Sequence, residues 1–426
     1  MEAFIVFLVL VGLILIGVPV AVSLGITSIG AFIMLGEAEN LLMMAQRMYS
    51  STTGFTLLAI PFFILAGNLM NSSGITNKIF DFAEASVGHV WGGLGQVNII
   101  ASVIFSGMSG AAVADAAGLG MIEIKAMTDS GYDKKFAAAI TAASSTIGPV
   151  IPPSIPFVIY GALTGVSVGS LFLAGFLPGI LMAITMIIAV SIISKKRNYP
   201  KQAKQPARVR LLAFKRAFLP LMTPVIIIGG ILSGWFTATE AAIIACIYAL
   251  VLDLIVYREL NFTKLLDIFR NTVIHTVKVM FIISAAGFFG WLLTFMRLPE
   301  QIIISLTTIS DNKYILLLII IMILVVLGMF LEGIAVLMIT IPIFMPIVMS
   351  LGVDPIQFGV IMILASMIGL LSPPVGMCLY AVASISDVKI GPLSKEVFPY
   401  MIGIFIVLLM VTFIPQISTF IPTVFG

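Results

Sequence analysis

Apolar residues run along the whole of this chain in stretches of 15 to 35, separated by short clusters of Gly, Pro, Ser and charge. Runs of that length, without alternation, predict membrane-spanning helices rather than half-buried helices or strands. The first 35 residues would reach about 52 Å as one helix, well beyond a hydrocarbon core of about 30 Å. Gly17-Val-Pro19 is expected to split them into two short spans. Further crossings are expected at 56–70, 136–163 and 166–194, then at 217–232, 236–257, 272–296, 357–383 and 399–420. Two stretches, 91–124 and 314–347, carry glycines in their centres (Ser106-Gly-Met-Ser-Gly110 and Gly328–Gly333) and predict re-entrant hairpins. Phe262–Phe269 has Leu265, Leu266 and Phe269 on one face opposite Lys264, Asp267 and Arg270. It is expected, with its counterpart Leu41–Met48, to lie in the membrane interface. Ala207–Phe218, basic and amphipathic, fits either a linker or an interfacial helix.

The pattern repeats. Residues 106–162 match 327–383 without a gap at an offset of 221: Gly107-Met108 falls on Gly328-Met329, Gly131-Tyr-Asp133 on Gly352-Val-Asp354, Ser145 on Ser366, and Pro152-Pro153 on Pro373-Pro374. Duplicated halves whose broken helices correspond are the mark of secondary transporters.

Composition agrees with the pattern. Of 426 residues 60% are hydrophobic and 10% charged, which excludes a soluble domain. The absence of a ten-residue alternation excludes a transmembrane β-barrel. Met1-Glu2 lacks the basic start of a cleavable signal. Cys246 and Cys378 sit in apolar runs and His89 and His275 are the only histidines, so neither a disulfide framework nor a transition-metal site is expected. The net charge of +3 is local: nine Lys/Arg and no acid lie between Lys195 and Arg216. The positive-inside rule puts that segment in the cytoplasm. Counting outward places Thr164 outside and Asp133-Lys134-Lys135 inside. Each half (1–194 and 217–426, joined by the basic linker 195–216) then has five crossings and a hairpin. Five is odd, so the halves are inverted.

The candidate chemistry lies at the breaks. A proline inside a helix frees the carbonyl four residues earlier: Gly148 and Pro149 for Pro152-Pro153, Gly369 and Leu370 for Pro373-Pro374. Bare carbonyls in hydrocarbon need a partner, and Na⁺ is a natural one. Ser145, Ser366 and Ser372 add hydroxyl oxygens, and the hairpin residues Ser106, Gly107, Gly328, Glu332 and Gly333 complete the expected cation set. Neighbouring helices satisfying a plain proline kink are the competing reading. Helix N-termini near Ser109, Gly110, Ser154 and Pro374 present N–H groups suited to an anion; with Asp115 they form the expected substrate set, for a carboxylate carried with Na⁺. An acid at mid-membrane costs about 2.5–3.5 kcal/mol, so Asp115 and Glu332 call for a role in coordination or, alternatively, in capping a half-helix. Glu240 and Arg297, near external helix ends, are expected to serve an interface or partner.

At these residues the chain resembles the large membrane subunit of the tripartite ATP-independent periplasmic (TRAP) transporters. The matching stretches are Pro61-Phe-Phe-Ile-Leu-Ala-Gly67, Ser106-Gly-Met-Ser-Gly-Ala-Ala-Val-Ala-Asp115, Ile147-Gly-Pro-Val-Ile-Pro-Pro-Ser154, Glu332-Gly, Pro342 with Pro346, and Ser372-Pro-Pro-Val-Gly376. The resemblance implies a Na⁺-coupled importer of organic acids, of the sialic acid or C4-dicarboxylate class, in the bacterial inner membrane. It implies a separate small four-helix membrane subunit, a periplasmic substrate-binding protein, and an elevator in which a transport domain slides past a scaffold. The Gly-His89-Val-Trp91 region tips the choice towards a sialate. Two other classes remain. Gly107-Met-Ser109-Gly resembles a nucleophile motif of an intramembrane hydrolase, which would need a histidine base, and an ion channel would need a pore.

Overall fold

The computed structural model describes residues 2–72, 74–310 and 312–425, and within them the side chains of all but 2–4, 72, 109, 306, 307 and 309. The chain is helical throughout the described residues. The first half runs α1 (Glu2–Leu15), α2 (Val20–Met34), α3 (Met44–Ser50), α4 (Ala59–Ser72), α5 (Ile75–Val87), α6 (Gly93–Ser109), α7 (Ala112–Asp129), α8 (Lys134–Ser145), α9 (Ile155–Thr164) and α10 (Val168–Lys196). The second runs α11 (Ala207–Leu232), α12 (Ala238–Val251), α13 (Phe262–Phe295), α14 (Leu298–Ile309), α15 (Lys313–Phe330), α16 (Gly333–Ser350), α17 (Pro355–Leu370), α18 (Met377–Ser386), α19 (Ile390–Phe413) and α20 (Gln416–Phe425). Among the described residues seven helices are long and apolar enough to cross a membrane, or eight if the bent pair Ala38–Ser50 and Phe55–Asn71 makes one span.

The two halves repeat in structure as they do in sequence. The offset of 221 carries Ala112–Asp129 onto Gly333–Ser350, and Lys134 onto the start of α17. Local chemistry explains the repeat. Gly131 and Gly352 both take left-handed φ (86° and 64°), which a glycine adopts without a Cβ penalty. Asp133 and Asp354 then cap α8 and α17, each accepting from the backbone N–H two residues on at 2.7 Å. The pairs α6–α7, α15–α16, α8–α9 and α17–α18 break where the sequence places its hairpin tips and proline breaks, although α15 and α16 are each long and apolar enough to cross a membrane alone. Helix α17 is buried on all sides from Gln357 to Leu370, and α8 from Phe136 to Ser145. These two helices form the centre of the molecule.

The broken pairs run antiparallel to each other. Lys134 at the start of α8 meets Asp387 at the end of α18 (3.7 Å), and Tyr160 near the end of α9 donates to the Pro355 carbonyl at the start of α17 (2.6 Å). Segments expected in the cytoplasm also converge on one another. Lys78 pairs with Glu259 (3.4 Å), and Arg197 Nη2 donates to both carboxylate oxygens of Glu396 (2.8 and 2.9 Å). The loop between the halves is fastened there: Tyr132 donates to the Pro200 carbonyl (3.0 Å), Gln202 to Glu84 (2.6 Å), and Lys201 Nζ lies 3.2 Å from the centre of the Trp91 ring. At the other end, the turns after α9 and α11 gather with Phe55 and Phe425 around a cavity of about 650 Å³ with no charged lining residue.

Several boundaries differ from expectation. The basic segment 195–216 is not one linker, because α10 continues to Lys196 and α11 begins at Ala207; only 197–206 is loop. Pro206 precedes α11, and no breaker interrupts its first turns. The two arms are not alike. The first half bends by 56° between Ala38–Ser50 and Phe55–Asn71, at Ser51-Thr-Thr-Gly54. The second is one unbroken α13, because 262–286 contains neither Gly nor Pro. The last crossing ends at Phe413, where Pro415 forces a break before α20. Helices α5 and α14, for which the sequence pattern gave no element, are further elements and correspond under the same offset.

Hairpin and broken helix meet backbone to backbone at Gly328 and Gly369: a Cβ on Gly369 would lie 2.5 Å from Gly328 Cα. Gly369→Ala is therefore expected to destabilise the protein by about 1–3 kcal/mol, read as a lower melting temperature in detergent. Gly391→Ala, with open space around it, is the control that should not melt earlier. With both native cysteines buried, a cysteine at Lys204 should label from the cytoplasmic side only, and one at Ser233 from the opposite side only.

Candidate functional site

Each hairpin tip rests on the proline break of its own half. In the first half, Gly110 takes φ 64° and ends α6. A Cβ on it would lie 2.7 Å from the Pro153 carbonyl and 3.2 Å from the Ile155 nitrogen, so only glycine allows the approach. In the second half the Gly376 N–H donates to the Met329 carbonyl (3.0 Å). Gly328 packs against Ser366 and Gly369. The Pro152-Pro153 and Pro373-Pro374 bonds are both cis.

Between the two tips lies a cavity of about 440 Å³. Gly110–Asp115 of the first hairpin and Glu332–Ile334 of the second face into it, together with Pro149, Met367 and Leu370 from the breaks. Asp115 stands in the first turn of α7, almost fully buried, with Oδ2 against Gly148: a Cβ there would lie 2.6 Å from it. Glu332 occupies the N-cap position of α16 but makes no capping hydrogen bond with its side chain; the carboxylate faces the cavity instead. Two acids from the two halves thus border one space whose floor is made by helix N-termini.

The opposite wall is formed by α4 and α13, through Asn68, Asn71, His275 and Val279. Asn68 donates to Thr272 (2.9 Å), tying the two helices together, and the Asn71 amide lies against Gly118 of α7. Sequence reasoning did not select these three polar residues. The available signal was their polarity within apolar helices, and for Asn68 its place directly after Gly67.

The oxygen donors divide into engaged and open ones. Pro149's carbonyl accepts from the Ser154 hydroxyl (2.5 Å) and Gly369's from the Ser372 N–H (2.9 Å). The carbonyls of Gly148 and Leu370 receive no hydrogen bond among the described residues. Ser106, Ser145, Ser366 and Ser372 each donate to a carbonyl three or four residues back (2.7–2.9 Å). Their protons are spent within their own helix, and their lone pairs stay available. An all-oxygen set of this kind suits a hard monovalent cation. No group of three or more His, Cys, Asp or Glu that would hold a transition metal occurs among the described residues.

Other expected site residues stand elsewhere. Ser154 does not border the cavity; its hydroxyl caps α9 by accepting from Phe157 N while donating to Pro149. Pro374 is exposed and also off the cavity. The side chain of Ser109 lies outside the described residues. Glu240 closes a capping box with Thr237, accepting from its N–H and hydroxyl at 2.8 Å, which explains its position without a partner. Arg297 takes φ 52° in the turn after α13, remote from the cavity.

Known proteins bear on this arrangement. The profile of the family described as "Tripartite ATP-independent periplasmic transporter, DctM component" matches residues 7–417. The sialic acid TRAP transporter large permease protein SiaM of Vibrio cholerae is 45% identical over 414 residues, 97% of each chain. The C4-dicarboxylate TRAP transporter large permease protein DctM of Pseudomonas aeruginosa is 36% identical, covering 95% of this chain and 94% of its own. Among solved structures, the Alcanivorax borkumensis YdaH transporter superposes with a TM-score of 0.65 over 88% of this chain and 89% of its own. At 15% identity it shares the fold alone. These are transporters, not hydrolases. The chain belongs to the DctM-component family, the large permeases of the TRAP transporters, and is a multi-pass protein of the bacterial inner membrane.

Proposed function

We propose that this chain imports a carboxylated organic acid together with Na⁺, by moving its hairpins and broken helices as a unit past the remaining helices. The carrying observation is the 440 Å³ cavity in which Asp115 and Glu332, from opposite halves, meet the N-termini of α7 and α16 beside the proline-break residues Pro149 and Leu370. Helix N-termini favour an anion and exposed carbonyls favour a cation. Cation binding beside the acids also offsets their charge, so that a carboxylate enters a site that is not net repulsive.

In this reading the residues of the Pro152-Pro153 and Pro373-Pro374 breaks hold at least two Na⁺ ions: Gly148, Pro149 and Ser145 in one half, Gly369, Leu370, Ser366 and Ser372 in the other. The Gly110–Ala112 and Gly333 amides orient the substrate carboxylate. Asn68, Asn71 and His275 belong to the wall that stays in place. Antiparallel broken helices give the two halves inverted orientations, so each end of the site can open to one side of the membrane. The sialate class is favoured over C4-dicarboxylates, on the higher identity to the Vibrio permease. A small four-helix membrane subunit and a periplasmic binding protein complete the system. The binding protein delivers the substrate.

Uptake of sialate into proteoliposomes, with the small subunit and binding protein supplied, tests this. Uptake should require an inward Na⁺ gradient; uptake that proceeds equally in its absence contradicts the reading. Asp115→Ala and Glu332→Ala should each lower uptake by about tenfold or more, equivalent to about 1.4 kcal/mol. Arg297→Ala should stay within about twofold, because its backbone turn and not its charge is used.

A further inference from the structure

One carboxyl lies outside the central cavity and is used by none of the chemistry above. Glu123 stands on α7 about two turns beyond Asp115 and is 1% exposed. Gly120 allows α8 to close against α7 here, since a Cβ on it would lie 2.7 Å from Thr141 Cγ2. A short polar chain fills the contact. Ser144 donates to Asn98 Oδ1 (2.7 Å), Asn98 Nδ2 donates to Thr141 Oγ1 (2.7 Å), and Thr141 reaches Glu123 Oε2 at 3.5 Å. Glu123 Oε1 has no hydrogen-bond partner among the described residues.

The surroundings supply no countercharge. Helix α6 carries no titratable side chain. Helix α8 carries Lys134 and Lys135 at its start, and Lys134 pairs with Asp387. Helix α18 carries only Cys378 and Tyr380. On α7 itself, Lys125 and Asp129 are exposed, and the charge that acts on Glu123 is Asp115, of the same sign. A buried carboxylate is held by a cation or by several short donors. Glu123 has one long donor.

Turning the Asn98 amide over changes the direction of the chain but not this conclusion. Asn98 Oδ1 would then accept from Thr141, and Thr141 Oγ1 would accept from Glu123. Either way the network offers one hydrogen bond, which is enough for a neutral acid. Na⁺ would need more oxygens than this carboxyl and one hydroxyl provide.

We propose that Glu123 is a proton-binding site, separate from the central cavity, that holds its carboxyl as a neutral acid at neutral pH inside the first hairpin. This does not rest on Na⁺ coupling or on the identity of the substrate. Apart from the exposed Lys125 and Asp129, the hairpin then carries only the charge of Asp115, the acid at the cavity.

The test compares wild-type protein in lipid nanodiscs with Glu123→Gln and Glu123→Ala. The infrared difference between wild type and Glu123→Gln at neutral pH should contain the C=O stretch of a protonated carboxylic acid. Glu123→Gln, which preserves shape and neutrality, should keep the wild-type melting temperature, and Glu123→Ala should lower it. Three results would overturn the proposal. They are a difference spectrum with carboxylate bands alone, a Glu123→Gln variant that melts as early as Glu123→Ala or fails to fold, and an acid band that disappears when choline chloride is replaced by NaCl, which would make the occupant a metal cation.

Discussion

A peptide group in hydrocarbon must be hydrogen-bonded to something, and this constraint organises the molecule around its two proline breaks. At Pro152-Pro153 and Pro373-Pro374 the helical ladder stops, between α8 and α9 and between α17 and α18, and the freed groups have to be met locally. Ser154 and Ser372 meet two of them. The hairpin tips pack over the breaks, and they reach backbone contact because Gly110, Gly328 and Gly369 carry no side chain there. What remains are the Gly148 and Leu370 carbonyls, without a hydrogen bond among the described residues, and helix N-termini facing a cavity. Site and packing are thus two results of the same cause.

Burial follows from the same arrangement. Helices α8 and α17 are enclosed on all sides, so they cannot show the one-sided stripe of an ordinary surface helix. In α8 the fit comes from small residues, Ala137 to Ala139 and Ala142 to Ser145, and in α17 from a longer apolar run. Polar groups inside this centre are tolerated because Ser145, Ser366 and Ser372 return their protons to carbonyls three or four residues back and Ser144 donates to Asn98 of α6. Spent protons and open lone pairs are the condition a cation requires of a hydroxyl.

Much of this was legible in the sequence because breakers are local signals. Gly131 with Asp133 and Gly352 with Asp354 specify a turn and a cap by themselves. The hairpin tips and both breaks could be placed for the same reason. Helices α5 and α14 could not, since short amphipathic helices lie below the hydropathy of a span. The continuity of α13 depended on the absence of a breaker over 262–286, which is weaker evidence than its presence, and α11 runs on through Pro220 and Pro224. The wall residues Asn68, Asn71 and His275 were missed because their relevance depends on which helix packs against the hairpins. The capping box of Glu240 was not read from the sequence, although Thr237 with a glutamate three residues on is its local signature.

The fastened loop 197–206 has a mechanical consequence. Ten residues can extend to at most about 36 Å, so this loop sets the length of the leash between the ends of α10 and α11. It is also taut only after release. Lys201 must leave the Trp91 ring, Gln202 must leave Glu84, and the Pro200 carbonyl must leave Tyr132 before the slack becomes available. Any displacement of the end of α10 relative to the start of α11 would therefore work first against these weak contacts and then against the contour length of the chain itself.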